Sequence, residues 1–152
     1  MLKEGDAAPD FTAKNQDGEE VKLADYKGER VVLYFYPKDD TPGCTKQACS
    51  LRDGFPKLRA NNITVLGVST DDEKSHRKFI EKYDLPFTLL ADTDKEIVNK
   101  YGVYGEKNMY GKKYMGTNRT TFLIDEAGKI TKIMKKVKVG EHADEVLKAF
   151  EA

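Results

Sequence analysis

The sequence predicts an α/β layered domain: a mixed central sheet of about five strands flanked by helices, preceded by a small N-terminal β-hairpin. Three observations predict it. Short β-rich runs alternate with stretches of helical periodicity, the helical stretches carry start and stop signals, and two runs near the C-terminus lie close enough to pair with each other.

The clearest strand is Val31-Val32-Leu33-Tyr34-Phe35-Tyr36, an unbroken apolar run stopped by Pro37. Continuous rather than alternating apolarity marks a strand covered on both faces. Residues 63–69, 87–91 and 120–124 read the same way, while 130–139 mixes Ile, Met and Val with Lys. The runs 120–124 and 130–139 flank Gly128 and predict an antiparallel hairpin. Ahead of all of them, Asp17-Gly18 separates two short extended pieces, a turn signal that predicts the N-terminal hairpin as a decoration.

Helices fill the intervals. Thr70 with Glu73 and Thr93 with Glu96 have the spacing of a capping box, and Gly102 suits the end of the second helix. Phe79, Ile80 and Tyr83 share one helix face, Ile97, Val98 and Tyr101 another, and Ala143, Val146, Leu147 and Phe150 a third. Each face should cover the sheet.

A chain of 152 residues can bury a full core in one unit, so a single domain over 1–152 is expected. Apolar residues make up 39% and charged ones 34%, with no low-complexity linker. Lys plus Arg number 26 and Asp plus Glu 26, so no net field recommends nucleic acid, membrane or acidic partners. The opening Met1-Leu2-Lys3-Glu4-Gly5-Asp6 has no apolar run after a basic segment, which predicts a cytoplasmic protein. The run 31–36 is far shorter than the roughly 20 residues a membrane helix needs. Two cysteines in a reducing compartment do not read as a structural staple, which leaves redox chemistry or inert thiols.

The segment that follows the first buried strand carries the chemistry: Pro37-Lys38-Asp39-Asp40-Thr41-Pro42-Gly43-Cys44-Thr45-Lys46-Gln47-Ala48-Cys49. Cys44, Ala48, Leu51, Phe55 and Leu58 recur at helical spacing, so a helix starting near Pro42 holds Cys44 in its first turn, facing inward. Unpaired N–H groups and the positive end of the helix dipole favour a thiolate there, and the thiolate is the nucleophile. Thr41 can bring a hydroxyl to the sulfur, Pro37 and Pro42 stiffen the loop, and Gly43 lets backbone approach a ligand. A buried cysteine that merely fills space needs none of these. Pro56 falls inside the pattern and predicts a kink or break after both cysteines.

Pro37, Thr41 and Cys44 match P-x-x-x-T-x-x-C, and in this the chain resembles the peroxiredoxins. The second cysteine five residues after the first, together with Gly111-Lys112-Lys113-Tyr114 and Arg119-Thr120-Thr121-Phe122-Leu123-Ile124-Asp125, is similar to the bacterioferritin comigratory protein or peroxiredoxin Q branch. The resemblance runs over nearly the whole chain. It implies a thioredoxin-like fold with an N-terminal extension, and a thiol peroxidase that needs no metal or organic cofactor. It also implies that Cys44 is peroxidatic, Cys49 resolving, Arg119 the active-site arginine and Gln47 a polar group that steadies it. Hydrogen peroxide or organic hydroperoxides would be substrates, a dithiol such as thioredoxin the reductant, and a monomer the acting form.

Other readings carry less. Cys44, Cys49, His76 and His142 lack zinc-site spacing. His76 lies on the stripe of Phe79, Ile80 and Tyr83 and reads as a packing residue, while His142 sits at a helix start; neither has a partner visible in the sequence. The lysines at 129, 132, 135, 136 and 138 suit a strand edge that resists further pairing, not a nucleic-acid surface. A thioredoxin-like electron carrier would use C-x-x-C and has no need of Thr41 or Arg119. A redox-gated binding protein would bind a partner without turnover.

Overall fold

The computed structural model describes residues 2–151; Met1 and Ala152, the ends of the expected 1–152 unit, lie outside the described residues. The elements run β1 (Thr12–Asn15), β2 (Glu20–Lys22), β3 (Arg30–Phe35), α1 (Pro42–Asp53), α2 (Phe55–Ala60), β4 (Ile63–Ser69), α3 (Glu73–Tyr83), β5 (Thr88–Ala91), α4 (Glu96–Lys100), β6 (Tyr104–Met109), β7 (Lys112–Thr117), β8 (Thr120–Ile124), β9 (Ile130–Met134) and α5 (His142–Glu151). Short 3₁₀ turns cover Leu23–Tyr26 and Val139–Glu141.

Strand β3 lies inside the main sheet because it can be buried on both faces. The strand order is β2-β1-β5-β4-β3-β8-β9, with β3, β4 and β5 parallel and β8 antiparallel to β3. Side chains alternate along β3: Val32 and Tyr34, followed by Tyr36, enter one core with α1, α2, α3 and α5, and Val31, Leu33 and Phe35 enter the other with α4. Both crossovers from β3 through β5 lay their helices on the same side, as right-handed connections require. The carboxyl ends of these strands and the first turn of α1 therefore meet at one edge of the molecule.

Seven strands form this sheet where about five were expected. The N-terminal hairpin is not a separate decoration: β1 pairs antiparallel with β5 through Lys14↔Ala91 and Asn15↔Leu90 and so extends the sheet. A second, two-stranded sheet of β6 and β7 carried no strand signal in the sequence. Its residues are mostly exposed, so no apolar run betrays it. The expected strand over 130–139 ends at Met134, and as β9 it forms the sheet edge where its one lysine, Lys132, faces solvent.

The caps also moved. Helix α3 is capped by Asp72, whose carboxylate accepts from Ser75 N at 2.8 Å, not by Thr70. Helix α4 is held by Asp92, which accepts from Ile97 N at 3.0 Å and Val98 N at 2.8 Å, not by Thr93. A carboxylate reaches two N–H groups at once and takes the site over a hydroxyl. The helix broken by Pro56 behaves as expected: α1 stops at Asp53 and α2 restarts at Phe55, with the proline in a first turn where its missing N–H costs nothing. Among the described residues no helix is long and apolar enough to cross a membrane.

Candidate active site

Pro42 opens α1, where its fixed φ suits the first turn. Thr41 precedes it in extended backbone, and the first intrahelical bond runs from Thr45 N–H to Thr41 O at 2.8 Å. The N–H groups of Gly43 and Cys44 thus come before the helical ladder begins. Cys44 lies in this turn, 2% exposed, and its neighbour down the same face, Gln47, is fully buried. Both cysteines are free thiols, Cys44 buried and Cys49 half-buried.

Arg119 arrives from the two-residue link between β7 and β8. Its Nη2 donates to Cys44 Sγ at 3.3 Å, and its Nη1 donates to Gln47 Oε1. The planar guanidinium fork meets both groups with two separate nitrogens in a pre-organised geometry. Glycine at 43 makes room for it: a Cβ there would sit 3.1 Å from Arg119 Nη2. Thr41 behaves differently from the expectation of a donor to the sulfur, since its hydroxyl donates to Lys38 O at 2.9 Å. The structure therefore brings Cys44, Gly43, Gln47 and Arg119 into direct contact, with Thr41 and Pro37 in the loop just before them.

Two buried polar atoms beside this cluster, Tyr34 Oη and Gln47 Nε2, find no hydrogen-bond partner among the described residues. Burial pushes the Tyr34 hydroxyl well above its ordinary range, and the Asp39 and Cys44 charges push it further, so it stays a neutral donor.

The loop 37–41 is fixed from beneath by groups the sequence did not connect. Asp39 N–H donates to Asp71 Oδ2 at 2.8 Å, and the Asp39 carboxylate accepts from Tyr36 Oη, from Ser75 Oγ at 2.8 Å and from His76 Nδ1 at 2.7 Å. His76 Nε2 meets Leu90 O at 2.9 Å. The reading of His76 as a packing residue without a partner is thereby corrected. Next to it Asp40, in left-handed backbone at φ 55°, accepts from Lys82 Nζ and Tyr83 Oη, both at 2.8 Å. A histidine buried on an apolar helix face signals that a partner exists, but only the fold shows that the partner is Asp39.

His142 also has partners, Thr121 Oγ1 at 2.9 Å and Glu145 Oε1 at 3.1 Å. Burial pushes its imidazole down and the Arg119 charge adds to this, against a smaller upward pull from Glu145. Asp39, Asp71 and His76 gather ligand-type atoms within 4.8 Å of one another, and both imidazole nitrogens are already engaged by oxygen atoms of Asp39 and Leu90.

A free thiol at a helix start, bonded to a guanidinium, has the character of a nucleophile awaiting a substrate. Comparison with known proteins agrees: residues 4–133 match the AhpC/TSA family profile.

The chain belongs to the AhpC/TSA family.

Within that family it is similar to peroxiredoxins of the Bcp or PrxQ kind. Peroxiredoxin Bcp of Escherichia coli is 49% identical over 96% of this chain and 94% of its own length. A bcp peroxiredoxin of Coxiella burnetii reaches 52% over 96% and 97%. Among solved structures, a mutant of PrxQ from Xylella fastidiosa superposes with a TM-score of 0.93 at 35% identity, covering 99% of this chain and 96% of that one. A bacterioferritin comigratory protein of Xanthomonas campestris, described for alkyl peroxide reduction, gives 0.87 at 38% identity over 93% and 90%. The fold of this peroxiredoxin is the thioredoxin-like one that the resemblance implied, with the larger sheet described above.

Proposed function

We propose that this peroxiredoxin is a two-cysteine thiol peroxidase in which Cys44 reduces the hydroperoxide and Cys49 resolves the product. The contact of Arg119 Nη2 with Cys44 Sγ at 3.3 Å, at the open end of α1, carries the reading. The thiolate sulfur attacks the terminal oxygen of a hydroperoxide and the O–O bond breaks. Cys44 keeps the OH as a sulfenic acid, and the other oxygen leaves as an alkoxide or hydroxide that takes up a proton.

Negative charge grows on the departing oxygen, so donors must already face it. Arg119 and the N–H groups of Gly43 and Cys44 are the donors available. The Thr41 hydroxyl spends its own hydrogen on Lys38 O and keeps lone pairs that accept the substrate's O–H, which aligns the peroxide with the sulfur. Gln47 keeps Arg119 in register, and Pro37 stiffens the approach. The sulfenic acid then condenses with the Cys49 thiol, releasing water and forming a disulfide, which a dithiol such as thioredoxin reduces by exchange.

The alkyl peroxide activity of the Xanthomonas protein supports organic hydroperoxides beside hydrogen peroxide as substrates. The chain acts as a single-domain monomer of the cytoplasm. The test is consumption of hydrogen peroxide and an organic hydroperoxide with a thioredoxin system. Wild type turns over, and Cys44→Ser loses essentially all activity because a serine alkoxide is inaccessible at neutral pH. Turnover retained by Cys44→Ser would overturn the assignment, and reduction of the disulfide without peroxide loss would favour an electron carrier.

A further inference from the structure

We propose that His76 is a positioning residue for peroxide reduction: from beneath the sheet edge it holds Asp39, and through Asp39 the loop that presents Thr41 and the first turn of α1. The inference rests on Cys44 as the attacking thiol.

The geometry leaves the imidazole little freedom. His76 is fully buried, with Nδ1 at 2.7 Å from Asp39 Oδ2 and Nε2 at 2.9 Å from Leu90 O. A carboxylate and a carbonyl oxygen both accept, so both ring nitrogens carry hydrogen and the ring is an imidazolium. Every group facing it agrees. Asp39 comes from the loop after β3, Tyr36 Oη bonds the same carboxylate, Asp71 lies in the loop after β4, Ser75 donates to Asp39 from α3, and Leu90 offers its carbonyl from β5. Burial pulls the imidazole down, but the Asp39 bond and charge, the Leu90 carbonyl and the Asp71 charge outweigh it and the net shift is upward.

Asp39 is also nearly buried, 7% exposed, and its backbone N–H is taken by Asp71. Its two carboxylate oxygens face three donors, Tyr36, Ser75 and His76, the last of them the cation. Deprotonating His76 removes the counter-charge from a buried carboxylate, which is costly in a low-dielectric site. Asp39 is two residues from Thr41 and five from Cys44, so a loss of hold on it displaces the groups that must line up with the peroxide. Sub-ångström alignment at such a site is worth orders of magnitude in rate.

The sign follows from the upward shift. His76 keeps its proton below its raised value and loses it as pH rises through that value, so the hold is complete on the acid side of that value and lost on its alkaline side. The second-order rate of Cys44 oxidation, measured by competition with a peroxidase of known rate for limiting hydrogen peroxide, should therefore have an alkaline falling limb.

The experiment measures that rate against pH for wild type, His76→Gln and Asp39→Asn, alongside the thermal midpoint. His76→Gln keeps a donor but no charge, and should lower the rate on the acid side of the limb by between about tenfold and a hundredfold and abolish the alkaline limb. Asp39→Asn, nearly isosteric, should do the same, and serves alone if His76→Gln fails to fold. A wild-type rate and an unchanged limb in whichever variants fold would overturn the proposal, as would a slower rate with the wild-type limb intact, which marks a purely structural role. Turnover in Cys44→Ser would instead break the reading on which it rests.

Discussion

Closing the Cys44–Cys49 disulfide must unwind the start of α1. Both residues lie on this helix, which runs unbroken over Pro42–Asp53. Five residues apart on an α-helix means about 7.5 Å of rise and about 140° of rotation, hence Cα atoms roughly 8 to 9 Å apart. A disulfide tolerates about 7 Å at most, with the side chains aimed together. Opening the turns gives up the Gln47–Arg119 bond, worth about 1.5 to 3 kcal/mol for a charge-assisted pair. It also exposes Cys44 and Ala48, now 2% and 0% exposed, at a further cost of about 1 to 2 kcal/mol. Together these come to about 2.5 to 5 kcal/mol, so on the order of one reduced molecule in a thousand is open at any moment. Amide hydrogen exchange followed by mass spectrometry should find Thr45 to Cys49 protected about a thousandfold more in the reduced protein than in the disulfide form. The opening is bounded. Asp40 is held by Lys82 and Tyr83 before the helix, and Arg52 Nη1 donates to Tyr83 O at 2.8 Å near its end. Residues 55–60 should therefore keep their protection in both forms. Equal protection of Thr45 to Cys49 in the two states would refute the unwinding, and loss spreading through α2 would refute the clamp.

Arg119→Ala removes the charged donor beside Cys44 and should slow its oxidation by about 2 to 4 kcal/mol, roughly thirtyfold to a thousandfold, in rapid-mixing kinetics; an unchanged rate would remove Arg119 from the site. Cys49→Ser should leave that first oxidation intact and accumulate sulfenic or overoxidised Cys44 under peroxide, seen as added oxygen in the intact mass. Normal thioredoxin-linked cycling in that variant would mean that Cys49 is not the resolver. His142 is held neutral by burial, with its folded value below the ordinary one. Its contribution to stability is complete above about pH 6.5 and is lost as pH falls through the lower folded value. His142→Gln should accordingly flatten the acid side of the thermal midpoint against pH, and an unaltered acid limb would contradict this.

The parts of the fold legible in the sequence are those whose residues face a core. Residues 31–36, 63–69 and 120–124 are continuous apolar runs because they lie inside the sheet, and each appears as a strand within a residue of its expected place. The β6–β7 pair escaped because it is exposed on both sides, and a strand without a buried face leaves neither an apolar run nor a clean alternation. The caps shifted for a related reason: Asp72 and Asp92 compete with Thr70 and Thr93 within two residues, and the choice depends on chain direction that tertiary packing sets.

The sequence by itself determined the chemistry on α1, because a helix start, its proline, its glycine and its cysteine are neighbours along the chain and their effects act within one turn. Only the tertiary structure decided what surrounds that turn. Arg119 lies 75 residues from Cys44, and His76 lies 37 from Asp39. Their pairing follows from parallel strands β3, β4 and β5 ending together and from β8 running back beside β3, which brings the loops from four distant segments to one edge. Contacts of that kind depend on strand order and crossover hand. Neither quantity is written in the local periodicity of the residues that make them.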